Sequence, residues 1–217
     1  MHISEGILPL SWAGGWWAGT ACILGLSFRN LKKDLENQQE KKTIFAFVTA
    51  LVFLLSAVPI PVPFSGTCSH PVGVGISVLL LGLSGSIVSG FIVLLLQALF
   101  LAHGGLSTLG ANAFSMAIMG SLAAFLVLKI LQSFRISLYL KGFFMGLLAD
   151  WITYLTTAFQ LAIALKGEEG FYPLFLKVLL AFIPTQVPIG IIEGIITGAL
   201  AYAIAKKRKD LLYIKVI

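Results

Sequence analysis

The sequence predicts an all-α polytopic membrane bundle of about seven transmembrane helices, with the amino terminus outside. Three observations carry that expectation. No Asp, Glu, Lys or Arg stands between Lys42 and Lys129. Of 217 residues, 58% are hydrophobic and only 11% are charged, with a mean hydropathy of +0.97. Soluble domains do not have this composition. The net charge of +6 sits at the ends of apolar runs, where it bears on membrane orientation and calls for no nucleic acid.

Each span needs roughly 20 apolar residues. The first is expected over 12–28, where Trp12, Trp16 and Trp17 read as an interfacial aromatic belt. A polar segment, 29–42, carries Arg29, Lys32, Lys33, Lys41 and Lys42. The second span, 43–58, stops at Pro59-Ile60-Pro61-Val62-Pro63, because proline lacks the helical N–H and clashes with the preceding turn. A turn-rich stretch, 64–71, follows. The uncharged run 72–102 is too long for one simple span, and Gly82-Leu83-Ser84-Gly85-Ser86 at its middle favours a hairpin of two short helices. The loop 103–110 precedes spans over 111–131, 142–165 and 174–205. The chain is expected to be one transmembrane domain over 1–217, with 1–11 an external segment and 206–217 a basic cytoplasmic tail.

Charge bias selects the hairpin. With it, thirteen of the fifteen Lys and Arg residues fall on one side, and only Lys166 and Lys177 on the other. With one over-long helix, the basic clusters would land on opposite sides. The hairpin also places His2, His70 and His103, the three histidines, together on the outer face. No cleavable leader is expected, since no basic residue precedes the first apolar run.

A histidine second from a free amino terminus chelates metal through three nitrogens: the terminal amine of Met1, the amide nitrogen of His2 and its imidazole. One further ligand completes a square plane, the geometry of Ni(II) or Cu(II), with Co(II) also accommodated. The bland reading is a frayed chain end; three histidines on one surface favour the metal site. His70, in Gly66-Thr67-Cys68-Ser69-His70-Pro71-Val72-Gly73-Val74-Gly75, is the best fourth ligand, and Pro71 fixes the backbone after it. Cys68 offers a soft thiolate or simply a small packing residue. His103 reads as a ligand, an outer hydrogen-bond donor or a lid. Ligating imidazoles need a partner on their other nitrogen; Ser69, Ser107, Thr108 and Asn112 are candidates and also plain helix caps. Glu5 is expected to cap the first helix.

Asp150 and Glu193 lie within apolar spans, where a carboxylate reads as a proton relay or as a buried structural group. Gly190, Gly194 and Gly198 around Glu193 make a face for close helix packing. There is no phosphate-binding Gly-x-x-x-x-Gly-Lys-Ser/Thr and no His-Glu-x-x-His, so neither a P-loop ATPase nor zinc protease chemistry is expected. An enzyme with histidines around a catalytic ion would need a general base, and Glu5, Glu168 and Glu169 are the outer-side choices.

Met1-His2-Ile3-Ser4-Glu5-Gly6, the run from Gly66 to Gly75, Ala102-His103-Gly104-Gly105-Leu106 and Leu109-Gly110-Ala111-Asn112 together resemble the CbiM/NikM family, and most closely CbiM. These are substrate-binding S components of energy-coupling factor transporters for cobalt and nickel. The resemblance implies a seven-helix bundle with an external metal site built by Met1, His2 and His70. It implies Co(II), alternatively Ni(II), as transported substrate, with no catalytic cofactor. It further implies a membrane coupling subunit, a pair of ATPase subunits and a small CbiN-like auxiliary membrane protein. Around the ligands, Ser69, His103 and Asn112 are the expected support, with His103 in the site cover.

Overall fold

The computed structural model describes residues 2–62 and 67–213. Met1 lies outside them, as do 63–66 and 214–217 with Gly66 and Lys215. The described elements are α1 (Leu10–Leu35), α2 (Gln39–Ser56), the strands β1 (Ile60–Val62) and β2 (Thr67–Ser69), α3 (Val74–Phe100), α4 (Leu109–Asn112), a π-helical stretch (Ala113–Gly120), α5 (Ser121–Leu131), α6 (Leu138–Leu165) and α7 (Phe171–Lys207). The described residues are all-α apart from one two-stranded hairpin. Among the described residues, four stretches are long and apolar enough to cross a membrane: α3, the rod Leu109–Leu131, α6 and α7.

The helices outrun the apolar segments that predict them. α1 continues through Arg29, Lys32 and Lys33, and α2 begins at Gln39, because a helix leaves the apolar layer without any need to stop. Lys32 and Lys33 end α1, and Lys206 and Lys207 end α7, where cations meet the negative pole of the helix dipole. Of the three tryptophans read as a belt, two face protein. Trp17 Nε1 donates to the Leu106 carbonyl at 3.1 Å, and the Trp16 ring lies 4.9 Å from Phe114.

α3 is two arms, 74–81 and 83–100, divided at Gly82 (φ 70°, ψ −173°). Ser86 Oγ donates to the Val74 carbonyl at 3.4 Å. In a straight helix these residues would stand about 18 Å apart along the axis, so the arms run back along each other. The first arm, eight residues and about 12 Å long, starts deep in the bundle, reached by the β1–β2 hairpin. The proline-rich run that ends α2 thus pairs Ile60 with Ser69 and Val62 with Thr67, where the sequence predicts a helix stop followed by a turn-rich stretch and no strands. Counted with both arms separate, seven helical rods build the described bundle.

Glycines set how closely the rods approach. A Cβ at Gly146 would stand 2.6 Å from the Glu193 carbonyl oxygen, and one at Gly75 would stand 2.9 Å from the Gly146 Cα. The face Gly190, Gly194 and Gly198 packs on α6 at Trp151, Phe143 and Tyr139. At one end of the bundle Arg208 pairs with Glu40 at 2.7 Å, and Tyr213 N donates to the Leu79 carbonyl at 3.0 Å. The opposite end gathers residues 2–8 with the loop between α3 and α4.

Candidate metal centre

The amino-terminal segment is built into the bundle. Ile3 is fully buried and forms a bridge with Thr67. Its N–H donates to Asn112 Oδ1 at 2.8 Å, and its carbonyl accepts from Thr108 Oγ1 at 2.7 Å and Asn112 Nδ2 at 3.1 Å. Three hydrogen bonds and a bridge thus hold the backbone beside His2, and the frayed-end reading of His2 does not stand. His2 is 2% exposed and His70 is 0% exposed, with ring centroids 4.5 Å apart.

The hydrogen bonds assign the tautomers. Ser56 Oγ donates to the Val52 carbonyl at 2.7 Å, so its oxygen accepts from Gln97 Nε2 at 2.8 Å. That orientation turns Gln97 Oε1, an acceptor only, towards His2 Nε2 at 2.8 Å. His2 Nε2 therefore carries the proton, and Nδ1 keeps the lone pair. On the second ring, Nδ1 lies 2.8 Å from the Pro71 carbonyl and must donate. His70 Nε2 keeps its lone pair, is buried, and has no hydrogen-bond partner. A buried polar atom without a partner calls for an explanation, and here its ring lies 4.5 Å, centroid to centroid, from that of His2. His2, His70 and Cys68 form one group whose ligand atoms lie within 4.8 Å of one another.

Burial makes both rings poor bases. It holds the His2 pKa down to about 3 and that of His70 well below the usual histidine value. Neutral imidazoles are the metal-binding form.

His70 is held from two sides. Its N–H donates to Tyr154 Oη at 2.9 Å, and that hydroxyl donates back to the His70 carbonyl at 3.1 Å. Glu193 accepts from the N–H groups of Val72 at 2.7 Å and Gly73 at 2.6 Å, at the start of the first α3 arm. This is a structural role, one of the two that its position in an apolar span allows. Asp150 lies in the same interface, close to Gly190, with both carboxylate oxygens buried and without a hydrogen-bond partner.

Several predicted neighbours do other work. Ser69 Oγ hydrogen-bonds Thr185 Oγ1 at 2.7 Å and leaves the imidazoles to Gln97 and Pro71. Asn112 clamps the Ile3 backbone. His103 lies 5.8 Å from His2, centroid to centroid, with Nδ1 buried and without a hydrogen-bond partner, over the site's edge. Glu5 does not cap α1, whose start has no side-chain cap; its carboxylate accepts from Ser107 N at 3.1 Å and ties the loop down. Glu169 pairs with Lys177. The reading of the sequence missed Gln97 and Tyr154. A lone amide in the apolar run Leu94-Leu95-Leu96-Gln97-Ala98-Leu99 was the available signal for the first.

Residues 2–211 match the family model CbiM, described as "Cobalt uptake substrate-specific transmembrane region". The chain belongs to the CbiM family. It is similar to "Cobalt transport protein CbiM" of Geobacter sulfurreducens, 49% identical over 98% of this chain and 61% of that relative's length. It is also similar to the protein of the same name in Sorangium cellulosum, 41% identical over 98% of this chain and 94% of the relative. A "Putative cobalt transport protein CbiM" of Methanocaldococcus jannaschii is 44% identical over 98% and 90%. The bundle superposes on the "Crystal Structure of an Truncated Transition metal Transporter" with a TM-score of 0.85 at 24% identity, covering 95% of this chain and 99% of that one, a likeness of fold. With its long apolar helices, this CbiM-family chain is a multi-pass protein of the cell membrane. It spans about 61% of the length of the Geobacter relative.

Proposed function

We propose that this chain is the substrate-capture subunit of an ATP-driven energy-coupling factor importer for Co(II). One observation carries the reading: two buried neutral imidazoles lie in one cluster with Cys68, each keeping one unprotonated nitrogen, with both tautomers set by hydrogen bonds. Met1 amine, His2 amide nitrogen, His2 Nδ1 and His70 Nε2 would wrap the ion in four nitrogens. Asn112 holds the chain beside His2, Ser69 the strand before His70, and His103 covers the opening. The amino terminus and residues 1–11 face outward, about seven helices cross, and 206–217 face the cytoplasm, as the basic residues at one end support. A membrane coupling subunit, a pair of ATPase subunits and a small CbiN-like protein complete the importer, and ATP hydrolysis occurs in those ATPases. The family description and the relatives' names support cobalt; Ni(II) is the alternative ion, which all-nitrogen donors favour.

The test is metal binding by purified protein. Placing one alanine ahead of Met1 moves His2 out of chelating position, and His70→Ala removes the fourth nitrogen. Each is expected to lower Co(II) affinity at least about a hundredfold. Unchanged Co(II) binding with the extended terminus would refute the site.

The unpartnered Asp150 carboxylate favours one second reading, a stand-alone carrier coupled to protons. Vesicles holding only this chain would then accumulate Co(II) down a proton gradient, and Asp150→Asn would stop it. The proposed importer predicts no accumulation by the chain alone.

A further inference from the structure

Cys68 lies on β2, where side chains alternate between faces. Ser69 turns to Thr185 of α7, and Cys68 turns the other way, to His2. Its Sγ hydrogen-bonds His2 Nδ1 at 3.5 Å, the nitrogen that the Gln97 hydrogen bond leaves unprotonated. A second observation points to the same spot: His70 Nε2, fully buried and without a hydrogen-bond partner, lies in the same cluster.

The separation matters. Metal–nitrogen and metal–sulfur bonds run about 2.0 and 2.3 Å, so neighbouring donors in one plane would sit about 3.1 Å apart. At 3.5 Å the two atoms stand only a few tenths of an ångström farther apart than that, close enough to share one ion. Four nitrogens would already fill the plane, so a fifth donor must stand off it.

We infer that Cys68 is a fifth donor, an apical thiolate above the nitrogen plane, and that it turns the site's preference from Ni(II) towards Co(II). The inference rests on the proposed nitrogen chelate. As the metal–sulfur bond forms, the thiol proton leaves to solvent, and no oxidant or reductant is involved. Four nitrogens in a plane satisfy Ni(II), which gains little from an apical ligand. Co(II) accepts five-coordination, and sulfur supplies it without displacing a nitrogen. The donor set itself therefore separates two ions that nitrogen ligands alone would rank the other way.

X-ray absorption of the Co(II)-loaded, native-terminus protein, with a near-ultraviolet spectrum, tests this. One sulfur at about 2.3 Å and a thiolate-to-cobalt charge-transfer band are expected. Cys68→Ser should lose both, retain bound cobalt, and shift the Co(II)-to-Ni(II) affinity ratio about tenfold towards nickel. Cobalt bound by nitrogen and oxygen alone in the parent protein would overturn the Cys68 assignment and leave the chelate standing. No cobalt bound by the parent would overturn both. The parent spectrum decides even if the serine variant does not fold, and Cys68→Ala offers a second comparison.

Discussion

Gln97 decides which nitrogen His2 offers. Its amide is pinned by Ser56 on one side and accepts from the ring on the other. An alanine there leaves the buried His2 Nε2 without its partner, while Ser56 keeps the Val52 carbonyl, and frees the imidazole to turn or change tautomer. Gln97→Ala is expected to weaken Co(II) binding about ten- to a hundredfold, as loss of such outer partners commonly does. Gln97→Glu keeps an acceptor for His2 Nε2 and loses only the donor to Ser56, so its affinity should fall between the two. Competition titration against a chelator of known affinity measures all three. If Gln97→Ala binds as tightly as the parent, the hydrogen bond does not set the ring. Nothing in the sequence named the partner of this glutamine, since Gln97 and His2 are separated by 95 positions and meet only through the fold. The histidines themselves were legible, because metal-binding residue types are scarce in so apolar a chain.

The junction of α6, α7 and the first α3 arm positions His70. Glu193 receives the Val72 and Gly73 N–H groups, which no helical carbonyl can satisfy at the start of an arm. Glu193→Ala strands both, at a cost of about 1–3 kcal/mol each. Thermal stability in detergent should fall clearly, and Co(II) affinity should fall with it as the His70 loop loosens. Glu193→Gln retains one acceptor oxygen and should lose roughly half as much. Equal stability of Glu193→Ala and the parent would remove Glu193 from this role. Gly146→Ala tests the same junction, because its Cβ would meet the Glu193 carbonyl oxygen at 2.6 Å and backbone has nowhere to move. It is expected to destabilise by several-fold more than Gly14→Ala, where a Cβ meets nothing within 4 Å. The glycine face of α7 was readable from its four-residue spacing, since that period is a property of one helix. So was the reversal in the long apolar run, from a glycine cluster at its middle. The β1–β2 hairpin was not, because the proline-rich run signals a helix stop and says nothing of what pairs next. The function of Glu193 was also hidden, as a lone carboxylate in an apolar run looks alike whether it moves protons or caps an arm.

The whole bundle acts on the metal by keeping water and protons from the two rings. Burial lowers the His2 pKa from 6.5 to about 3, and that of His70 in the same direction. A depressed histidine pKa means that the unfolded chain takes up protons first, so the metal-free fold loses stability as pH falls from about 6.5 towards 3. Metal binding has a different dependence. The His2 ring proton does not compete with the ion above about pH 3 to 4, and burial shifts His70 the same way. The protons that do compete belong to the terminal amine and to the amide that must ionise. Below the amine pKa at least two protons leave per ion bound, so Co(II) affinity should fall about a hundredfold or more per pH unit. Solvent-exposed histidines would instead add further protons near pH 6.5 and steepen the curve there. Titrating Co(II) affinity from pH 8.5 to 5.5 separates the two cases. A logarithmic slope that stays constant through pH 6.5 is expected of rings this deeply buried. An upturn at that pH would place the imidazoles in water, and the enclosed four-nitrogen centre would fall with them.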